Sequence, residues 1–213
     1  MPKWAFIWSL GLAVLIAGAW RICPDGLCGL VAFDRYGLSL AHAWRTETLD
    51  ILMQGITWLG SLALLVPLAL GMSASLVRQS RQREAVFILL ALLGSSAVAH
   101  VTKLVIERPR PDLFATWLAM PADWSYPSAH AMQATSLAVA WLLVTGQRRR
   151  ILAGVLGIIV LWVGLSRIYL QVHFPSDVIA GTLAAIAWVG GLYWLTFRRE
   201  GRGLSGHKRR HAA

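Results

Sequence analysis

Three short clusters in this 213-residue chain carry the residue types that handle phosphate. The first is the stretch 103–111, KLVIERPRP, which places Lys103, Arg108 and Arg110 within eight residues. Guanidinium groups offer planar forks of donors that match phosphoryl oxygens, and an ammonium adds a compact point charge. The second is YPSAH, residues 126–130. Pro127 and Ser128 are helix-opening residues, and a helix N-terminus presents free N–H groups to an anion. His130 then falls in the first turn. The third is SRIYLQVHFPSD, residues 166–177. His173 and Asp177 are four apart. On one helical turn the carboxylate reaches one ring nitrogen and leaves the other free as a nucleophile. Each cluster has an ordinary reading too: cations snorkelling at a helix end, a serine cap with an interfacial histidine, and a polar turn. The third fits its ordinary reading worst, because Arg167, His173 and Asp177 crowd a short connection between two apolar stretches, where charge is costly without a task.

The elements that must position these clusters are apolar. Hydrophobic residues make up 57% of the chain and charged residues 14%, well short of a soluble domain's share. Six stretches approach the ~20 residues a bilayer-spanning helix needs. They run over 4–20, 52–77, 85–105, 129–146, 151–168 and 178–197. The expected fold is therefore all-α, a polytopic membrane bundle of six transmembrane helices. Residues 1–200 form the bundle domain and 201–213 a basic cytoplasmic tail. The first stretch has a second reading as a cleaved signal peptide, since Ala17-Gly18-Ala19 resembles a cleavage site. A retained helix fits better, because Lys3 alone is a weak signal-peptide start. Residues 21–50 read as an outer loop over the site. Cys23 and Cys28 flank a turn there and are either bridged, if the loop faces an oxidising compartment, or two free thiols.

Charge sets the orientation. With the N-terminus inside, the inside segments hold 13 of the 20 basic residues against two acidic ones, and the outside holds seven against eight. The net charge of +10 is thus topological and follows the positive-inside rule. It does not call for nucleic acid, because no basic groove with interleaved aromatics is left to explain. All three clusters fall on the outer face. Four outside cations, Lys103, Arg108, Arg110 and Arg167, sit at or near the ends of apolar stretches. No cluster of Asp and Glu suits Mg²⁺ and no Walker loop is present, so Lys and Arg must balance the transferred phosphoryl.

Lys103-x6-Arg110-Pro111, then Pro127-Ser128-Ala129-His130, then Ser166-Arg167-x5-His173-x3-Asp177, resembles the three-part signature of the type 2 phosphatidic acid phosphatase superfamily. The order, the internal spacings and the six-segment layout all match its membrane-bound members. The resemblance implies an integral membrane lipid phosphatase acting on a lipid phosphate or diphosphate. Lys103, Arg110, Arg167, Ser128 and the backbone at Ala129 would hold the phosphate. His173 would become a phosphohistidine, Asp177 would orient it, and His130 would protonate the leaving oxygen. Ser166, Pro111 and Pro127 would support the site, with Arg108 outside the core set. No metal and no cofactor are implied. The partners are a membrane lipid phosphate and the bilayer, in an inner membrane with cytoplasmic termini and the site facing the periplasm. Ala129 stands where the family pattern has glycine, which bears on pocket tightness. The alternative activity is a lipid phosphotransferase passing the phosphate to another lipid. A non-catalytic lipid carrier would need neither His173 nor Asp177, and the related soluble haloperoxidases lack the apolar spans.

Overall fold

A computed structural model describes residues 2–24, 28–114, 120–145 and 150–197. All regular structure among the described residues is helical. The helices are α1 (Lys3–Ile22), α2 (Ala32–Ala43), α3 (Glu47–Thr57), α4 (Leu62–Arg78), α5 (Gln82–Ile106), α6 (Ala129–Thr145), α7 (Arg150–Tyr169) and α8 (Pro175–Phe197). Four of them, α1, α5, α7 and α8, are long and apolar enough to cross a bilayer. The expected bundle is therefore borne out as all-α with several membrane-length helices, while the count of six straight spans is not.

Two of the expected spans differ. The stretch 52–77 is not one helix. It divides into α3 and α4 around a 3-10 turn, Trp58–Gly60, with a bend of 43°. Gly60 is what lets that turn press into the bundle. A Cβ there would stand 2.6 Å from Val163 Cγ1 and 3.1 Å from Cβ of His130. The fourth expected span, 129–146, forms α6, which has 17 residues, short of the usual spanning length. The connection 21–50 also holds more order than expected. It contains α2 and the start of α3, where the Thr46 hydroxyl accepts a hydrogen bond from the Leu49 N–H at 3.2 Å and caps the helix. Cys23 and Cys28 are joined by a disulfide. The basic tail expected at 201–213 lies outside the described residues.

The core sits where α8 packs against α1, α5 and α6. One apolar cluster, with Phe87, Ile88, Leu92 and Val189, fills the end away from the three clusters. Another, with Ala99, Tyr126, Met132, Ala180 and Ala184, underlies them. Small residues dominate this second layer, as suits helices that associate by close packing in lipid. Gly181 shows how tight it is: a Cβ there would lie 2.7 Å from the backbone oxygen of Ser128. Large apolar side chains such as Leu10, Ile16, Val101, Ile151 and Leu161 face outward.

Chain direction then explains why the clusters meet. α5 and α7 end where α6 and α8 begin, so Lys103 and Arg167 close two helices at the same level at which His130 and Asp177 open two others. α5 stops because Glu107 turns left-handed, with φ 50°, while its N–H still donates to the Lys103 carbonyl at 3.0 Å. Pro109 and Pro111 follow and have no N–H with which to resume the helix.

Candidate active site

One cavity of about 210 Å³ opens at this end of the bundle. Its walls include Lys103, Arg110, Ala129, His130, Arg167 and His173, together with His100, Asp123 and Gln133. The two imidazoles and three of the four anticipated cations thus share one hollow. Lys103 is nearly enclosed, its side chain 3% exposed, and Arg167 is 6% exposed. Arg167 donates from Nη1 to the Thr57 hydroxyl at 2.6 Å, and its carbonyl accepts from the N–H groups of Val172 and His173. The end of α7 therefore fixes both a cation and the turn that carries His173.

His173 is buried and held between two charged partners. Arg110 Nη1 lies 3.3 Å from Nε2, and Asp177 Oδ2 lies 3.4 Å from Nδ1. A guanidinium only donates, so Nε2 accepts and Nδ1 carries the proton. Nε2 is then the nitrogen with a lone pair toward the cavity. Burial first, then the charges of Arg167, Arg110 and Lys103, hold the imidazole well below its ordinary 6.5, so the ring is neutral near pH 7. A nucleophile needs that state.

Asp177 does not act on His173 alone. Its Oδ2 also accepts from the Ser125 hydroxyl and from the Phe174 N–H at 2.9 Å. Its Oδ1 accepts from Arg108 Nη1 at 2.5 Å. Arg108 Nη2 in turn donates to Asp34 Oδ2 at 2.7 Å, and its guanidinium stacks 3.8 Å over the Phe174 ring. Asp34 also accepts from the Ser176 N–H and hydroxyl. Both carboxylates are fully buried and Arg108 is 1% exposed. Arg108, set aside in sequence as outside the signature, is thus the clamp that joins α2 to the start of α8. Asp34 was missed altogether. It lies beside Arg35 in a stretch read as loop that also holds Asp25, Glu47 and Asp50, so nothing in the sequence singled it out.

Other anticipated residues stand further back. The Ser128 hydroxyl is buried without a hydrogen-bond partner, and its N–H donates to the Asp177 carbonyl at 3.1 Å. Ala129 lines the cavity. Ser166 donates to the Val163 carbonyl at 2.7 Å, within its own helix. Pro127 follows a cis bond from Tyr126, and both it and Pro111 are buried. Asp123 and Ser125, in the loop before α6, were also missed. Asp123 pairs with both Lys103 and Arg110. Among the described residues, no three His, Cys, Asp or Glu side chains converge as a metal site would need.

Helix ends thus bring three cations and three histidines, His100, His130 and His173, around one hollow in an apolar helical bundle, and comparison with known proteins gives the family. The PAP2 superfamily profile matches residues 84–200, more than half of the chain. Phosphatidylglycerophosphatase B of Bacillus subtilis is 33% identical over 157 residues, covering 70% of this chain and 74% of that protein. An undecaprenyl-diphosphatase of Sulfolobus acidocaldarius is 31% identical over 121 residues, covering 55% and 57%. The crystal structure of a transmembrane PAP2-type phosphatidylglycerolphosphate phosphatase from B. subtilis superposes with a TM-score of 0.77 at 26% identity, covering 94% of this chain and 98% of that one. This chain belongs to the PAP2 superfamily and is a multi-pass membrane protein.

Proposed function

We propose that this chain removes the terminal phosphate of a membrane lipid, with His173 as nucleophile and a phosphohistidine as intermediate. Membership of the PAP2 superfamily, with relatives named as a phosphatidylglycerophosphatase and an undecaprenyl-diphosphatase, makes it a hydrolase acting on lipid phosphates. The single observation that carries the mechanism is the shared cavity of His130, His173, Lys103, Arg110 and Arg167.

In this reading the three cations hold the phosphoryl oxygens and spread the charge of the transition state. Nε2 of His173 attacks phosphorus from one side. The bond from phosphorus to the lipid oxygen breaks, and a protonated His130 gives that oxygen its proton. An arriving phosphate dianion favours the proton on His130 by charge attraction. A water then attacks phosphorus, His130 takes its proton, the P–N bond breaks and inorganic phosphate leaves. Asp177 keeps the proton of His173 on Nδ1 and balances the imidazolium as it forms. Ala129 in place of the family's glycine adds a methyl to the cavity wall and bears on which headgroups fit.

The charge count supports a site on the periplasmic face of an inner membrane with both termini cytoplasmic. Six crossings result if the bent α3–α4 pair and the short α6 each count as one. No metal takes part. Phosphate release is expected to persist in a strong chelator; loss there, with recovery on adding a divalent metal, would overturn the metal-free reading.

The test of the whole reading is phosphate release from purified lipids in detergent, across monophosphate and diphosphate headgroups. Free inorganic phosphate is expected, with no doubly phosphorylated acceptor. A denatured enzyme should carry acid-labile, base-stable label from a labelled lipid, as a phosphohistidine does. Replacing His130 by Ala should slow turnover of a lipid substrate by about 10²–10⁴-fold. The loss should shrink with an aryl phosphate, whose leaving oxygen needs no proton. Equal losses on both substrates would remove His130 as the acid.

A further inference from the structure

Asp123 lies among the cations of this cavity and has no part in the chemistry above. Its Oδ1 accepts from Arg110 Nη2, and its Oδ2 lies 3.1 Å from Lys103 Nζ. The backbone follows the side chain. The Asp123 carbonyl accepts from Arg110 Nε at 2.8 Å, and the Trp124 carbonyl accepts from Lys103. Two carboxylate oxygens bridging a lysine and an arginine have the spacing and charge of two phosphoryl oxygens in the same place.

We infer that Asp123 is an internal counter-ion of the phosphate site, a carboxylate that each incoming phosphate must displace and that returns as product leaves. The inference rests on the reading of this cavity as the phosphate site. Three further observations support it. The cations are fixed walls, with side-chain exposures of 3% for Lys103 and 9% for Arg110, whereas the Asp123 side chain is 45% exposed. The displaceable partner is therefore the acid. Asp123 also sits in the irregular segment that joins α5 to α6, outside any helix. Asp34 and Asp177, by contrast, are fully buried and locked to Arg108. Lastly, the carboxylate stays charged across any working pH. Partial burial pushes it up, but the Arg110 hydrogen bond and the Lys103 charge outweigh that and bring it down to about 2.

The physical consequence is a weaker grip on phosphate than Lys103, Arg110 and Arg167 would give unopposed. An intramolecular carboxylate competes at a fixed, high effective concentration. It lowers the affinity for substrate and product phosphate alike, and it speeds product release.

The experiment uses the full chain in detergent with inorganic phosphate as probe. Asp123→Asn should lower the phosphate concentration for half-inhibition by about tenfold or more, and lower KM in the same direction. Thermal stabilisation by inorganic phosphate, a readout without turnover, should begin at a correspondingly lower concentration. Asp123→Ala should behave like the Asn variant, and Asp123→Glu like the parent. Unchanged phosphate sensitivity in both neutral variants would overturn the inference. So would weaker sensitivity, which would make Asp123 a support that holds the cations in place. A parent chain that binds inorganic phosphate but releases none from any lipid would count against the proposed reaction while leaving the Asp123 comparison readable.

Discussion

Replacing His173 by Ala is expected to bring phosphate release from lipid down to the assay blank, a loss of about 10⁴-fold or more. At 1.36 kcal/mol per factor of ten, that is roughly 5 kcal/mol or more of transition-state stabilisation. The size follows from the role. The cations and His130 remain in the variant, but no other described side chain offers a neutral nitrogen flanked by Arg110 and Asp177. The variant should still insert and fold, since Asp177 keeps its bonds to Arg108, Ser125 and the Phe174 N–H. A second readout checks the charge state. The folded chain resists a proton that an unfolded histidine takes up below about 6.5. The unfolded state then binds more protons, so stability rises with pH up to about 6.5 and levels off above it. Thermal melts between pH 5 and 8 should lose part of that slope in His173→Ala. Near-parent turnover would refute the nucleophile.

Arg108→Ala is expected to produce the largest stability loss, about 3–5 kcal/mol. The change strands two fully buried carboxylates, Asp34 and Asp177, that share this one guanidinium. Arg108→Lys should recover only part, because one ammonium does not reproduce a fork that reaches two acids and stacks on Phe174. Adding Asp34→Asn to Arg108→Ala removes one stranded charge. The double variant should therefore be less damaged than the sum of the singles, a coupling that melting temperatures in detergent read directly. Additive losses would mean that the clamp is not one unit. Turnover should fall along with stability, since Asp177 loses the partner that aims it.

The site was far more legible in the sequence than the scaffold around it. Lys103, Arg110, His130, Arg167, His173 and Asp177 could be read because each sits where an apolar stretch stops, and a charge at such a boundary demands a cause. Pro109 and Pro111 marked one stop outright. The break in the 52–77 stretch could not be read, because composition averages over it. Pro67 is the conspicuous residue there, yet it lies inside α4, and the bend falls at Gly60 and Ser61. Its cause is tertiary: the turn is seated against Val163 and His130. Asp34 and Asp123 escaped for a related reason. Their partners are 74 and 20 residues away, at Arg108 and Lys103, and no local pattern links them. Ser166 was read as a supporting motif position; its hydroxyl donates within its own helix.

Every group that would touch phosphate lies at a single end of the helices, α5 and α7 finishing where α6 and α8 start. The opposite end is sealed by aromatic and aliphatic packing around Phe87, Tyr193 and Phe197. If the proposed site is the working one, dephosphorylation by such a molecule is vectorial. Only headgroups in one leaflet would then be within its grasp, the freed anion would be shed into one compartment, and lipid in the other leaflet would become a substrate only after it had crossed the bilayer.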